Sequence, residues 1–120
     1  MAAADAALCK SGTTTLEAAI ADLPMVVAYR VSRLTFAIAR RAVRVSHVSL
    51  VNLIAGREVV PELLQDDVSP DSLGEALLPL LDRDGPTGKR QRQDLAKVRE
   101  ALGSPGAAQR VAELTLRYAA

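Results

Sequence analysis

Residues 11–17 read Ser-Gly-Thr-Thr-Thr-Leu-Glu, and they are the most informative stretch of this chain. It follows a short apolar run over residues 6–9 and opens a helical pattern, so it predicts a turn from a buried strand into a helix. Glycine lets a backbone approach an anion closely, and the first amides of a helix point at that anion with the positive end of the helix dipole behind them. One turn later, the Glu17 carboxylate can accept hydrogen bonds from both hydroxyls of a ribose. The stretch therefore indicates a nucleotide-sugar site.

The same residues allow an interpretation without a ligand. Thr14 and Glu17 have the spacing of a capping box, in which the two side chains satisfy each other's backbone donors. Capping boxes are common at helix starts, so the spacing alone leaves both interpretations open.

The length and composition limit which classes of protein this chain can belong to. With 120 residues, the chain is long enough for one domain with a single core. Apolar residues make up 49% and charged residues 24%, which is typical of a globular protein. Aromatic residues are 2% of the chain and the net charge is +1. Few side chains can stack on bases and no strong positive field attracts a polyanion, so nucleic acid is disfavoured as a partner.

The single cysteine, Cys9, excludes an internal disulfide and a Cys-x-x-Cys metal site. A reducing compartment is expected, with no metal and no cofactor. No apolar stretch approaches the roughly 18 residues of a membrane span, and Asp5 stands where a signal peptide would carry Lys or Arg. These features predict a cytoplasmic protein.

Strand-like and helix-like patterns alternate over the first half of the chain. Short apolar runs predict buried strands at residues 6–9, 25–29 and 45–53. A helix opens after each of the first two, the second capped by Ser32. The apolar faces of these helices are formed by Leu16, Ala19 and Ile20 and by Leu34, Ile38 and Ala42. We expect the second face to pack on the sheet, and the rhythm predicts a parallel α/β fold.

The second half of the chain is predicted to be helical. Its helix boundaries are marked by proline, glycine and serine. The predicted elements are a short helical turn over 61–65, a helix from Ser69-Pro70 that Pro79 should kink or end early, a charged helix ending at Gly103 and a last helix from Ser104-Pro105.

Three strands are few for a free-standing parallel sheet. The first of them begins only a few residues after Met1. We therefore expect the chain to be the back end of a larger α/β protein.

Three blocks of sequence, residues 11–19, 23–32 and 49–65, resemble in this order the C-terminal part of the lipid-A-disaccharide synthase family. The resemblance covers essentially the whole chain. It implies a partial Rossmann-like parallel sheet, the C-terminal half of a two-domain GT-B glycosyltransferase, followed by several helices. Residues 1–120 would be its nucleotide-sugar-binding portion, with sheet and crossover helices over about 1–60, a helical tail over about 61–120 and the N-terminal domain absent.

The resemblance also implies a reaction. Such enzymes join UDP-2,3-diacylglucosamine to 2,3-diacylglucosamine 1-phosphate (lipid X), which gives lipid A disaccharide 1-phosphate and UDP. The C-terminal half holds the nucleotide-sugar, and the N-terminal half supplies acceptor contacts and the general base. We therefore expect this chain to be inactive alone and to need the missing N-terminal domain as its partner.

By analogy with the donor sites of this fold, the backbone around Gly12, Thr13 and Thr14 is expected to contact the pyrophosphate. Ser11 or a threonine hydroxyl would add a hydrogen bond, and Glu17 would bind the ribose. The capping role of Glu17 can coexist with its binding of the ribose.

The third block adds four candidates, Asn52, Arg57, Glu58 and Gln65, which are expected beyond the carboxyl end of a strand. Arg57 would neutralise the diphosphate as it leaves. The alternatives are an exposed Arg57–Glu58 ion pair, and capping or turn-forming roles for Asn52 and Gln65. No general base is visible, because His47, the only histidine, has apolar neighbours that favour a partly buried strand position.

Arginine is concentrated between Leu23 and Arg57, where no acidic residue occurs. One helical stripe is formed by Arg33, Ala37, Arg40 or Arg41, and Arg44, with Phe36 beside it. This stripe predicts contact with an anionic membrane surface at the inner face of the cytoplasmic membrane. The alternative is a solvated basic face, and DNA binding is disfavoured because no recognition motif accompanies the arginines.

Two other functions stay open at this stage. The chain could be a nucleotide-binding module without catalysis, or a basic domain for a membrane surface or a protein partner in which residues 11–17 only cap a helix. A second copy of the chain is a further candidate partner.

Overall fold

The computed structural model describes residues 3–42, 46–103 and 106–119, which form a parallel sheet covered by helices. The strands are β1 (Ala7–Lys10), β2 (Met25–Tyr29) and β3 (Glu62–Leu64), in the spatial order β1-β2-β3. Ala7 lies opposite Met25, and Val27 lies opposite Glu62. The predicted parallel α/β fold class is confirmed, and the chain forms a partial Rossmann-like fold.

The helices connect the strands and then follow them. Helix α1 joins β1 to β2, and α2 and α3 lie between β2 and β3. In the part of the chain that the structure describes, the α-helices are α1 (Thr13–Ile20), α2 (Arg33–Ala42), α3 (Leu50–Ala55), α4 (Pro70–Leu81), α5 (Pro86–Leu102) and α6 (Ala107–Ala119).

One face of the sheet carries the main core. Successive side chains of a strand point to opposite faces, so Met25 and Val27 of β2 share one face. Helices α1, α3 and α5 pack against one another over this face. The buried apolar cluster consists of Cys9, Ala18, Ala19, Leu23, Met25, Val27, Val51, Val59, Val60, Leu95 and Val98. Helix α4 packs on β2, and Val26 and Leu80 are fully buried outside that cluster.

A glutamine of α5 completes the hydrogen bonding at the start of β2. The Met25 amide donates to Gln91 Oε1 (2.6 Å), and Gln91 Nε2 donates to the Met25 carbonyl (3.1 Å). The buried amide of Gln91 thus satisfies both backbone groups of one strand residue. This contact fixes α5 against the amino end of β2.

Most predicted helix boundaries are confirmed. Ser32 Oγ accepts from the Thr35 amide at the start of α2, and Ser69 Oγ accepts from the Ser72 amide at the start of α4. Gly103 ends α5 with a φ of 80°, which favours glycine. The predicted start of the last helix at Ser104-Pro105 lies outside the described residues.

Helix α4 continues past Pro79 to Leu81, so the early end predicted there is wrong. A proline in the last turn removes only one of the helix's hydrogen bonds. Leu80 is fully buried directly after it, and its packing holds the final turn.

The third strand does not lie at residues 45–53. Residue 45 is outside the described residues, and Leu50–Ala55 form α3. Ser49 Oγ caps this helix by accepting from the Asn52 amide (3.2 Å), and Gly56 closes it with a φ of 68°. The strand β3 occupies Glu62–Leu64 instead, where a helical turn over 61–65 was predicted, and a 3₁₀ turn follows over Gln65–Asp67. Periodicity cannot separate a strand from a helix in so short an apolar run.

Two predicted helix faces also differ from the structure. The buried residues of α1 are Thr15, Ala18 and Ala19, whereas Ile20 is exposed. In α2, Leu34 is 73% exposed and Ile38 is 60% exposed, so the expected packing of this face on the sheet is wrong. Helix α3, which follows α2, packs against α1 and α5 instead, and its Val51 joins Met25 and Val27 in the buried core.

Candidate functional site

The Ser11–Glu17 turn lies at the carboxyl edge of the sheet. Parallel strands end at the same edge, and here those ends are Lys10, Tyr29 and Leu64. Ser11 and Gly12 follow Lys10 directly and lead into α1. Open parallel sheets bind ligands at this edge. The sequence-based prediction of a strand-to-helix turn at this position is confirmed.

Gly12 gives the turn its shape. Its φ of 137° and ψ of −162° belong to a region that side-chain-bearing residues rarely adopt. A Cβ built at this position meets no atom within 4 Å, so the space beside Gly12 is open. The backbone conformation at Gly12 therefore favours glycine, and the space beside its Cα is unfilled.

The capping box expected as an alternative does not form. Gly12 is the N-cap of α1, and no side chain caps this helix. The Thr15 hydroxyl donates to the Gly12 carbonyl (2.8 Å) and is fully buried, whereas Thr14 and Glu17 are exposed. The Glu17 carboxylate therefore stands one turn beyond uncapped helix amides, on the exposed side of α1.

The Ser11 hydroxyl is hydrogen-bonded within the protein. It donates to the Val48 carbonyl (2.9 Å), which ties the turn to the segment before α3. A serine hydroxyl has one hydrogen to donate. In this conformation it has none left for a phosphate oxygen.

Glu62 also binds the segment before α3. Its carboxylate accepts from the amides of Val48 (2.9 Å) and Ser49 (2.8 Å) and from Asn52 Nδ2 (2.8 Å). Burial alone raises the pKa of the Glu62 carboxyl, but the hydrogen bonds from Ser49, Val48 and Asn52 outweigh it and hold the pKa below its usual range. Sequence reasoning missed Glu62, and the only available signal was a carboxylate at the start of an otherwise apolar strand.

Asn52 is a structural residue. It is fully buried, its Oδ1 accepts from the amides of Val59 (2.8 Å) and Val60 (3.0 Å), and its Nδ2 donates to the Val60 carbonyl (2.9 Å) and to Glu62. These contacts use its whole hydrogen-bonding capacity. The structure thus favours the turn-forming role over the binding role.

Gln65 lies at the carboxyl edge, directly after β3. Its Oε1 accepts from the Val31 amide (2.8 Å) and its Nε2 donates to the Val31 carbonyl (3.1 Å). The residue adopts a φ of 53°. Gln65 therefore fixes the connection from β2 to α2 at the same edge as the turn.

Arg57 and Glu58 lie at the opposite edge. They precede β3, in the loop that enters its amino end, so their expected position beyond a strand's carboxyl end is wrong. Arg57 pairs with Asp94 of α5, with 2.5 Å between Nη2 and Oδ1, rather than with Glu58. The hydrogen bond from Arg57 holds the pKa of the Asp94 carboxyl below its usual range, helped by the charges of Arg57, Lys97 and Arg90.

His47 is half-buried, but it lies in an irregular segment rather than in the expected strand. It lines a cavity of about 440 Å³ at the carboxyl edge, together with the side chains of Tyr29, Phe36, Leu53 and Leu64. The lining suits a nonpolar group better than a phosphate.

Residues 3–42, 46–103 and 106–119 contain no group of three or more His, Cys, Asp or Glu side chains that could hold a metal ion. Burial raises the pKa of the Cys9 thiol, which disfavours its reactive thiolate.

Among the described residues, no helix is both long enough and apolar enough to cross a membrane.

The parallel sheet and the glycine-led turn at its carboxyl edge define a Rossmann-like class of protein. Comparison with known families identifies the group within that class. The family model described as lipid-A-disaccharide synthetase matches residues 1–116. The chain belongs to this family, whose members are glycosyltransferases.

Curated relatives support the assignment. A lipid-A-disaccharide synthase of Anaeromyxobacter sp. (strain K) is 51% identical over 116 residues, which is 95% of this chain and 30% of the relative. The enzymes of that name from Gluconobacter oxydans and Sodalis glossinidius are 51% identical over 87% of the chain and 60% identical over 70% of it. They are covered over 25% and 22% of their length, so the chain spans less than a third of the relatives it matches.

Proposed function

We propose that this chain is the donor-binding part of a lipid-A-disaccharide synthase. It would hold UDP-2,3-diacylglucosamine while the sugar is transferred to 2,3-diacylglucosamine 1-phosphate, with lipid A disaccharide 1-phosphate and UDP as products. Residues 1–120 then belong to the C-terminal, nucleotide-sugar-binding portion of the enzyme. The family match supports this assignment.

The observation that carries the proposal is the open, uncapped turn at Gly12. The amides of Gly12, Thr13 and Thr14 would bind the pyrophosphate oxygens, favoured by the helix dipole. The exposed Glu17 carboxylate would accept the two ribose hydroxyls. Ser11 would position the turn through Val48 rather than bind the nucleotide.

Catalysis is assigned to the complete enzyme. Transfer needs a base at the acceptor hydroxyl and a cleft that orients both sugars, and orientation alone contributes about 7–11 kcal/mol. In the described part of this chain, the one histidine lines an apolar cavity instead of the turn. We therefore expect no synthase activity from this chain alone, and activity when the remaining part of the enzyme is supplied.

A titration of UDP against the isolated chain tests the binding role. Amide resonances of residues 12–17 should shift, and Glu17→Gln should weaken binding by about tenfold, because each hydrogen bond to a charged group contributes about 1.5–3 kcal/mol. Glu58→Gln is the matched control, since Glu58 is exposed at the opposite edge. Unchanged affinity in a folded Glu17→Gln variant contradicts the ribose role. Shifts centred elsewhere contradict the site.

A further inference from the structure

The cavity of about 440 Å³ at the carboxyl edge of the sheet has no role in the site described so far. Tyr29 ends β2 and Leu64 ends β3, and both side chains line the cavity. Phe36 of α2 and Leu53 of α3 line it as well. The cavity is therefore bounded by the ends of two strands and by two helices.

Most side chains that line this cavity are apolar. Among the described residues of the lining, Arg40 is the one arginine or lysine, and there is no aspartate or glutamate. Leu53 is 43% exposed, so part of the apolar lining is in contact with solvent. Removing such surface from water is favourable, and a ligand that carries a hydrocarbon chain would gain this free energy.

Hydrogen bonds hold two wall segments of the cavity in place. Val31 lines the cavity, and both of its backbone groups are bound by the Gln65 side chain, at 2.8 and 3.1 Å. The Val48 carbonyl accepts from Ser11 Oγ (2.9 Å), and the Val48 amide donates to Glu62 (2.9 Å). Because these segments are already fixed, a ligand would not have to order them when it binds.

The cavity adjoins the Gly12 turn. Strand β1, which leads into the turn, pairs with β2, whose last residue, Tyr29, lines the cavity. Paired strands lie about 4.8 Å apart. Ser11 of the turn is hydrogen-bonded to Val48, which also lines the cavity. A group attached to a diphosphate at the turn would therefore lie within reach of the cavity.

We propose that this cavity receives an acyl chain of the diacylated nucleotide-sugar whose diphosphate is bound at the turn. The inference rests on the proposed function and adds a site for a part of the donor that UDP lacks. The phosphates and sugar hydroxyls of such a donor need charge or hydrogen bonds, whereas the chain needs apolar walls. The uracil base is the competing occupant, and it differs from the chain in being present in UDP alone.

Titrations of the chain with UDP and with UDP-2,3-diacylglucosamine test the proposal. Short acyl chains keep this ligand dissolved as single molecules, and they are lengthened by two carbons at a time. Each methylene that enters the cavity should raise the affinity about fourfold, until the cavity is full. The methyl resonances of Leu53 and Leu64 should shift with the acylated ligand and not with UDP.

Two pairs of variants locate the chain. Ala39→Phe fills the cavity, and Ala37→Phe is its matched control, since both alanines are exposed on α2 and Ala39 is the one that lines the cavity. Leu53→Ser removes an apolar wall, and the control is Ile54→Ser, which is exposed on α3 and lines a different cavity. We expect Ala39→Phe to weaken binding of the longest-chain ligand by at least about tenfold, because excluding two methylenes already costs roughly sixteenfold. Leu53→Ser should act in the same direction, and the two controls should bind as the unaltered chain does.

The affinity for UDP separates the outcomes. It should be the same in all four variants, and circular dichroism establishes that each is folded. UDP binding without an effect of chain length, or with equal losses in the cavity variants and their controls, would overturn the inference and leave the proposed function standing. Lower UDP affinity in folded Ala39→Phe would also overturn it, because the base would then occupy the cavity. No UDP binding to the folded chain would contradict the proposed function and the inference together.

Discussion

Asn52 and Glu62 share a hydrogen bond of 2.8 Å from Nδ2 to Oε1, which joins the interior of α3 to the first residue of β3. The same asparagine bonds the backbone of Val59 and Val60, and the same glutamate bonds the amides before α3. Through Val48, this pair reaches Ser11 and the turn. The shape of the candidate site thus depends on two buried or half-buried polar residues that do not face it.

Replacing Asn52 with alanine should strongly destabilise the fold. The change leaves the buried amides of Val59 and Val60 without an acceptor, and each unsatisfied group costs about 1–3 kcal/mol. We expect the free energy of unfolding in urea to fall by about 3–5 kcal/mol. Glu58→Ala, at an exposed position in the loop after α3, should change it by less than about 0.5 kcal/mol. A loss below about 1 kcal/mol in Asn52→Ala contradicts the structural role.

Because of Glu62, the free energy of unfolding should vary with pH in the acidic range. Because its pKa is lowered in the folded chain, the unfolded chain binds the proton more readily. The stabilisation is present above the unfolded pKa of about 4.3 and is lost as the pH falls through the lower folded pKa. The difference in unfolding free energy between the unaltered chain and Glu62→Gln should therefore shrink from pH 7 to pH 3. A constant difference would show that the charged form is not favoured by folding.

The Arg57–Asp94 pair should make a small contribution to stability and none to UDP binding. The Arg57 side chain is 49% exposed, and partly exposed pairs contribute about 0.2–1 kcal/mol. A double-mutant cycle with Arg57→Ala and Asp94→Ala should give a coupling of this size. UDP affinity should stay unchanged in Arg57→Ala, because the residue lies at the amino edge of the sheet. A folded Arg57→Ala variant with lower UDP affinity would restore its role in neutralising the leaving group.

Two glycine-to-alanine changes should act in opposite directions. At Gly12, φ is 137° and alanine should cost about 1–3 kcal/mol through backbone strain, and UDP binding should weaken with the altered turn. Gly74 lies inside α4 with no atom near a built Cβ, so alanine there should add about 0.4–1 kcal/mol. Urea unfolding of both variants measures the contrast. Equal effects at the two positions would contradict the strained turn.

The sequence allowed the β1–turn–α1 unit to be predicted because glycine, an apolar run and a helical pattern meet within a few residues. It did not allow β3 to be placed, since the run before Gly56 fits a strand and a helix equally well, and Glu62–Leu64 is too short to show a period. Because the third strand was predicted before Arg57, this residue was expected at a strand's carboxyl end. In the structure it precedes β3 and lies at the amino edge of the sheet. Long-range contacts such as Ser11 to Val48 have no local signal, so the network behind the site became visible only in three dimensions.

The pairing of Gln91 with Met25 makes one amide proton informative about a distant helix. The two residues are 66 positions apart, so their contact closes a long loop, and such contacts slow folding because chain entropy is lost before they form. The Met25 amide is protected by a side chain from α5 rather than by a neighbouring strand. Its hydrogen exchange should therefore report the undocking of α5 separately from the opening of the sheet.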